Sequence, residues 1–137
     1  MGTRNALVID DEADIRNYIS SILEEHGWTV RTASTAEEGE RLVRESRPEV
    51  ILLDLVMPGQ SGIQLFARLR GDEGTRGIPL VMVTGIKEQL NIDWKEIVTR
   101  LKARVPDGFI EKPIDPTRLA QLVESVVSRS ERGLQIA

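Results

Sequence analysis

Three unbroken apolar runs punctuate the chain: Ala6-Leu7-Val8-Ile9, Val50-Ile51-Leu52-Leu53 and Leu80-Val81-Met82-Val83, with a shorter pair at Phe109-Ile110. Continuous rather than alternating runs are what strands buried on both faces of a parallel sheet require. Trp28, Val30 and Thr32 instead alternate with polar residues, as a strand nearer a sheet edge does. Between the strands the apolar spacing turns helical. Ile15, Ile19, Ile22 and Leu23 form one stripe, and Gly27 supplies a left-handed stop. Thr35-Ala36-Glu37-Glu38 reads as a capping box opening a second helix, which carries Leu42 and Val43 until Arg47-Pro48 breaks it. Ile63, Phe66 and Leu69 mark a third helix, closed by a linker from Gly71 to Gly77. Leu90, Trp94, Ile97, Val98 and Leu101 mark a fourth. Pro106-Asp107-Gly108 turns into the last strand. Asp115-Pro116 then starts a fifth helix, whose inward residues are Leu119, Leu122, Val123, Val126 and Val127.

Five strands alternating with five helices imply an α/β, doubly wound five-stranded parallel sheet between two helical layers. The right-handed crossover rule leaves few topologies, and the flavodoxin-like strand order 2-1-3-4-5 sets strands one and three side by side at the switch point. The polar residues that end the runs then matter. Asp10 and Asp11 close the first, Asp54 the third strand and Thr84 the fourth, and Lys112 follows the last. Ligands of such sheets bind at the carboxyl ends of the strands. Three carboxylates, a hydroxyl and an ammonium meeting there make a site for a divalent cation and a phosphoryl group.

Composition narrows the choices. A chain of 137 residues is one domain and buries roughly 68–70% of its unfolded surface, so no disulfide or structural metal is needed for folding. The absence of cysteine excludes thiolate catalysis, redox chemistry and cysteine zinc sites. A net charge of −4, with both signs interspersed, argues against direct nucleic-acid binding. The first apolar run is too short for a membrane span and no signal-peptide pattern precedes it, so a cytoplasmic location without a membrane partner is expected.

These residues resemble the receiver domain of two-component response regulators, of the chemotaxis-receiver type. The resemblance runs from Leu7 to about Val127. It rests on Asp10-Asp11, on Asp54-Leu55-Val56-Met57-Pro58 with Gly62, on Thr84-Gly85, and on Lys112-Pro113 with Phe109 three residues earlier. Each piece alone is weak: an acid pair often caps a helix, a lone lysine is usually solvated, and a threonine at a strand end is ordinary. The ordered set on five βα units is specific. The resemblance implies a receiver domain over residues 4–128, with residues 129–137 a short tail, too short for a second domain. It implies a phosphoprotein in which a partner histidine kinase or phosphotransfer protein phosphorylates Asp54. Mg²⁺ would be ligated by Asp11, Asp54 and the main-chain carbonyl of Val56, with Asp10 acting mainly through water. Lys112 and Thr84 would contact the phosphoryl group, Thr84 and Phe109 would switch, and Lys112-Pro113 would be a cis bond. Such a protein is a signalling intermediate, not an enzyme: it takes phosphoryl from phosphodonors and loses it slowly. It stands alone or comes from a larger regulator or hybrid kinase.

The chemistry agrees, because three carboxylates in one crevice repel one another unless a cation intervenes, and all-oxygen ligation suits Mg²⁺. Output is expected on the face of the fourth helix, fifth strand and fifth helix, toward a downstream protein or a second copy. Twenty-seven residues separate Thr84 from Lys112, more than compact receivers carry, and the extra length falls on that face. Positions two after the acceptor and two after the threonine tune the lifetime of the adduct in receivers; here they are Val56 and Ile86. His26, at a helix end away from the site, is expected to serve as a helix C-terminal charge partner. Two rival classes remain. An aspartate-nucleophile phosphohydrolase of the haloacid dehalogenase type would need a second acid at Val56. A degenerate receiver acting only as an interaction module would not need the intact acid pair, Asp54, Thr84 and Lys112.

Overall fold

The computed structural model describes residues 4–57, 62–85, 93, 96 and 106–136. Five parallel strands run β1 (Asn5–Ile9), β2 (Thr29–Ala33), β3 (Val50–Asp54), β4 (Leu80–Thr84) and β5 (Gly108–Glu111), in the order β2-β1-β3-β4-β5. The described helices are α1 (Ala13–Glu25), α2 (Ala36–Glu45), α3 (Gly62–Gly71) and α4 (Pro116–Ile136), the last being the fifth helix of the sequence reading. The stripe Leu90, Trp94, Ile97, Val98 and Leu101 lies outside the described residues, as do the loop residues 58–61 and Ile86. The doubly wound sheet and its order are those the apolar runs imply.

The central strands are unbroken because each alternate residue meets a different helical layer. Leu7, Ile9, Ile51, Leu53, Leu80 and Met82 pack with Leu42 and Val43 of α2 and Leu65, Phe66 and Leu69 of α3. Ala6, Val8, Val50, Leu52, Val81 and Val83 pack on the other face with Ile19, Ile22 and Leu23 of α1 and Leu119, Val123 and Val126 of α4. On the edge strand β2, Thr32 is exposed and the last residue, Ala33, is buried.

The helix ends follow local chemistry. Thr35 Oγ1 accepts the Glu38 N–H at 3.1 Å. Glu38 reaches back to the Ser34 N–H, at 3.4 Å, rather than to that of Thr35. Asp115 Oδ1 accepts the N–H groups of Thr117 at 2.9 Å and Arg118 at 3.2 Å, with Pro116 at the first helical position. Gly27 has φ +89°, the left-handed conformation that follows α1, and His26 Nδ1 lies 2.9 Å from the Ile22 carbonyl oxygen. α4 continues without a break to Ile136, through residues 129–136. Among the described residues no helix is long and apolar enough to cross a membrane.

Candidate functional site

The register of the sheet decides which polar residues meet. Ile9 pairs with Leu53 across β1 and β3, Asp54 with Val83 across β3 and β4, and Thr84 with Glu111 across β4 and β5. Asp10, Asp54, Thr84 and Lys112 therefore emerge at one end of the sheet. Asp10 extends β1 by donating its N–H to the Ala33 carbonyl at 3.1 Å. Lys112 extends β5 by donating its N–H to the Thr84 carbonyl at 2.8 Å. The Lys112–Pro113 bond is cis.

Burial sets the electrostatics. Asp10 is 1% and Asp54 5% exposed, and Thr84 is also buried. Asp10 Oδ1 accepts the Glu12 N–H at 2.9 Å, while its buried Oδ2 accepts no hydrogen bond. Lys112 Nζ stands 3.6 Å from that Oδ2, 3.7 Å from Asp54 Oδ1 and 3.7 Å from Glu12 Oε1. Asp54 Oδ1 also receives a long bond, 3.4 Å, from the Val56 N–H. Burial, then the negative charge of Asp10, pushes the Asp54 carboxyl up to about 7 against a partial opposing pull from Lys112. Burial likewise raises Asp10. For Lys112, burial pulls the ammonium down, but Asp54, Asp10 and Glu12 together outweigh it and hold the group above its ordinary value.

A cleft of about 550 Å³ opens over these groups, lined by Asp11, Glu12, Asp54, Leu55, Val56, Met57, Gly85 and Lys112. A larger groove of about 780 Å³ runs between α1 and α4, lined by Glu25 and Glu124 but by no lysine or arginine, so volume does not mark the chemistry here. Carboxylate oxygens of Asp10, Asp11 and Glu12 lie within 4.8 Å of one another. Such hard oxygen donors, with the orphaned Asp10 Oδ2 among them, fit a Mg²⁺ ion with its waters.

Asp10, Asp11, Asp54, Val56, Thr84 and Lys112 cluster at this end, whereas Phe109 lies within β5 opposite Met82. Val56 is 54% exposed at the cleft. The Phe109 ring is half-buried against the apolar cluster of the α2–α3 side. Ile86 lies outside the described residues. Glu12 is an addition: the sequence analysis assigns it no role, yet its carboxylate joins the acid cluster and faces Lys112. The run of three acids, Asp10-Asp11-Glu12, was the available signal. Gly62 also has a steric role. A Cβ there would lie 1.9 Å from the Asp54 carbonyl oxygen, because the Gly62 N–H bonds to the Leu55 carbonyl at 3.0 Å and draws α3 against the end of β3.

The family profile of the response regulator receiver domain matches residues 6–124, and the chain belongs to that family, the receivers of two-component signalling. Among its relatives is the phosphate regulon transcriptional regulatory protein PhoB of Pseudomonas aeruginosa. It is 34% identical over 131 residues, which is 95% of this chain and 54% of PhoB. The protein PilH of the same organism is 31% identical over 122 residues, 89% of this chain and 96% of PilH. Among solved structures, that of NtrX from Brucella abortus in complex with ADP superposes with a TM-score of 0.82 at 26% identity, covering 98% of this chain and 29% of that one. The chain thus spans about half the length of PhoB and nearly all of PilH.

Proposed function

We propose that this receiver is the phosphoacceptor switch of a phosphorelay, and that Asp54 accepts a phosphoryl group from a phosphohistidine of a partner histidine kinase or phosphotransfer protein. The observation that carries this reading is the buried Asp54 carboxylate with Lys112 Nζ at 3.7 Å. In the transfer a carboxylate oxygen of Asp54 forms a bond to phosphorus as the bond from phosphorus to the histidine nitrogen breaks, and the electron pair leaves with the imidazole. Asp54 must be ionised to attack, whereas burial and Asp10 hold its carboxyl at about 7 in the absence of a cation. Asp10, Asp11 and Asp54, with the Val56 carbonyl, would hold Mg²⁺, which when bound offsets charge on the carboxylates and the incoming group. Lys112 places its ammonium beside the arriving phosphoryl oxygens. The Thr84 hydroxyl, buried at the end of β4, donates to one of them once the adduct forms.

The signal then passes through Thr84 and Phe109 to the face formed by the predicted fourth helix, β5 and α4, where a downstream protein or a second copy distinguishes the two forms. The phosphohydrolase alternative is disfavoured by Val56, an apolar side chain where a second acid is required. A degenerate receiver acting only as an interaction module is disfavoured by the intact acid–lysine constellation. Intact mass after incubation with acetyl phosphate tests the proposal. One phosphoryl group is expected on the wild type, only with Mg²⁺, and none on Asp54→Asn. Robust labelling of Asp54→Asn would sink the assignment.

A further inference from the structure

β5 is the shortest strand of the sheet. It has four residues, pairs only with β4, and buries only Ile110 completely. Its two apolar residues, Phe109 and Ile110, are adjacent and face opposite layers. A one-residue slip exchanges the faces of a strand: in one direction Phe109 would take the place of Ile110 and leave Gly108 in its own, and in the other Glu111 would enter the buried place of Ile110. Hydrophobic pattern therefore opposes the second slip but only weakly the first, which keeps an aromatic in the buried place, yet only the observed register delivers Lys112 to Asp54.

Two features at the opposite end of the sheet supply the missing discrimination. Asp107, the residue before β5, accepts through Oδ2 from Arg70 Nη2 at 2.8 Å and from the Leu80 N–H at 2.8 Å. Its own N–H donates to the Leu80 carbonyl at 2.9 Å. Arg70 is 2% exposed in its side chain and is itself held by the carbonyls of Arg76 at 2.9 Å and Ile78 at 2.8 Å. Arg129 on α4 donates to the Asp107 carbonyl at 3.0 Å, so α3 and α4 both grip the start of β5. Next, Gly108 leaves room for α4: a Cβ there would lie 2.9 Å from Leu122 Cδ1. A slip in either direction would put Asp107 or Phe109 under Leu122 and remove the carboxylate from a buried guanidinium, which is strongly unfavourable.

We propose that Asp107, clasped by Arg70, is a positioning residue that fixes the register of β5 and so sets Lys112 within reach of the phosphoryl group. This rests on the phosphoacceptor reading of Asp54. The test compares the wild type with Asp107→Asn, Lys112→Ala and the double variant. It measures labelling rate with acetyl phosphate at saturating Mg²⁺, Mg²⁺ affinity, and amide hydrogen exchange. Asp107→Asn should slow labelling roughly ten- to a hundred-fold, the scale on which misplacement by about 1 Å acts. It should not weaken Mg²⁺ binding, since the acids sit on β1 and β3. Faster exchange should be confined to β5 and the Lys112 amide. Adding Asp107→Asn to Lys112→Ala should cost nothing further. Wild-type labelling in Asp107→Asn, a loss that multiplies with that of Lys112→Ala, or a parallel fall in Mg²⁺ affinity would each overturn the clasp. Should Asp107→Asn not fold, Arg70→Lys, which keeps the charge but not the fork, is judged by the same criteria. If the wild type takes no label, the phosphoacceptor reading fails, and exchange decides the clasp: protection lost in β5 alone upholds it, and unchanged protection there refutes it.

Discussion

Lys112 Nζ stands 3.7 Å from Asp54 Oδ1 although β4 separates their strands, and it reaches Asp10 and Glu12 from the same position. The ammonium is thus the resident counter-ion of the acid cluster when no metal is bound. A metal ion at the same acids meets its repulsion. Replacing Lys112 by Met should therefore have effects of opposite sign: Mg²⁺ binds several-fold tighter, because a neighbouring like charge is gone, while labelling of Asp54 slows. Titration with Mg²⁺ and the rate of acyl-phosphate labelling check the pair. Both falling together would mean that Lys112 merely supports the fold.

Asp54 makes the metal-free fold sensitive to pH. Its carboxyl, ordinarily near 3.8, is pushed up to about 7 in the folded protein, mainly by burial. The folded state therefore holds the proton more tightly than the unfolded chain. The associated stability is complete below about pH 4 and is lost as pH rises through about 7. Asp10, raised in the same direction, adds to the slope. Lys112, raised from an already high value, does not titrate in this window. Between about pH 4 and about pH 8 the metal-free protein should lose a few kcal/mol, at about 1.4 kcal/mol for each pH unit that separates the folded carboxyl from the unfolded one. Asp54→Asn should flatten the slope and stabilise the fold above neutrality, and Mg²⁺ should restore the wild type there. Urea midpoints across that range, with and without chelator, measure this; equal slopes in wild type and Asp54→Asn would contradict it.

Much of this site was legible because burial writes itself into the sequence. Leu52 and Leu53 face opposite layers, so the run Val50 to Leu53 had to be apolar throughout, and the acid that ends it stood out. The caps at Thr35 and Asp115 were equally plain, since one short polar side chain answers the first free N–H groups of each helix. Glu12 was harder: a glutamate beside a helix start has an ordinary explanation, and only the fold turns its carboxylate toward Lys112. The pairing of Arg70 with Asp107 joins residues far apart in sequence through a register that no local pattern encodes. The same holds for Gly62, whose need for hydrogen in place of a side chain appears only when α3 meets the Asp54 carbonyl.

That contact yields a steric prediction. A methyl at position 62 would overlap a backbone oxygen, which has no rotamer by which to yield. Gly62→Ala should destabilise the fold by about 1–3 kcal/mol or more, the usual cost of overpacking, and should displace the acceptor loop, so that labelling falls more than stability alone explains. Gly27→Ala is the control. It meets strain of about 1–2 kcal/mol from its positive φ but finds no atom in the way, and labelling of the folded variant should be normal. Denaturant midpoints paired with labelling rates separate the two. Normal labelling in folded Gly62→Ala would show that the loop tolerates the shift.

The lifetime of the aspartyl phosphate depends on whether a water can line up opposite the leaving carboxylate. Polar side chains near the phosphoryl group orient such waters. Val56 lies at the cleft, half-exposed, and offers neither a donor nor an acceptor. Its branched Cβ also limits its χ1 freedom, so it does not readily move aside. Ile86, two residues after Thr84, is of the same kind by sequence. The adduct should therefore decay slowly, favouring a sustained signal or onward transfer. Val56→Asn should speed the loss of label several-fold, and Val56→Asn with Ile86→Glu further, while both variants still accept phosphoryl with Mg²⁺. Decay is followed by intact mass after the donor is removed. Wild-type decay as fast as that of the double variant would mean that the lifetime is set elsewhere, and the two side chains would lose this role.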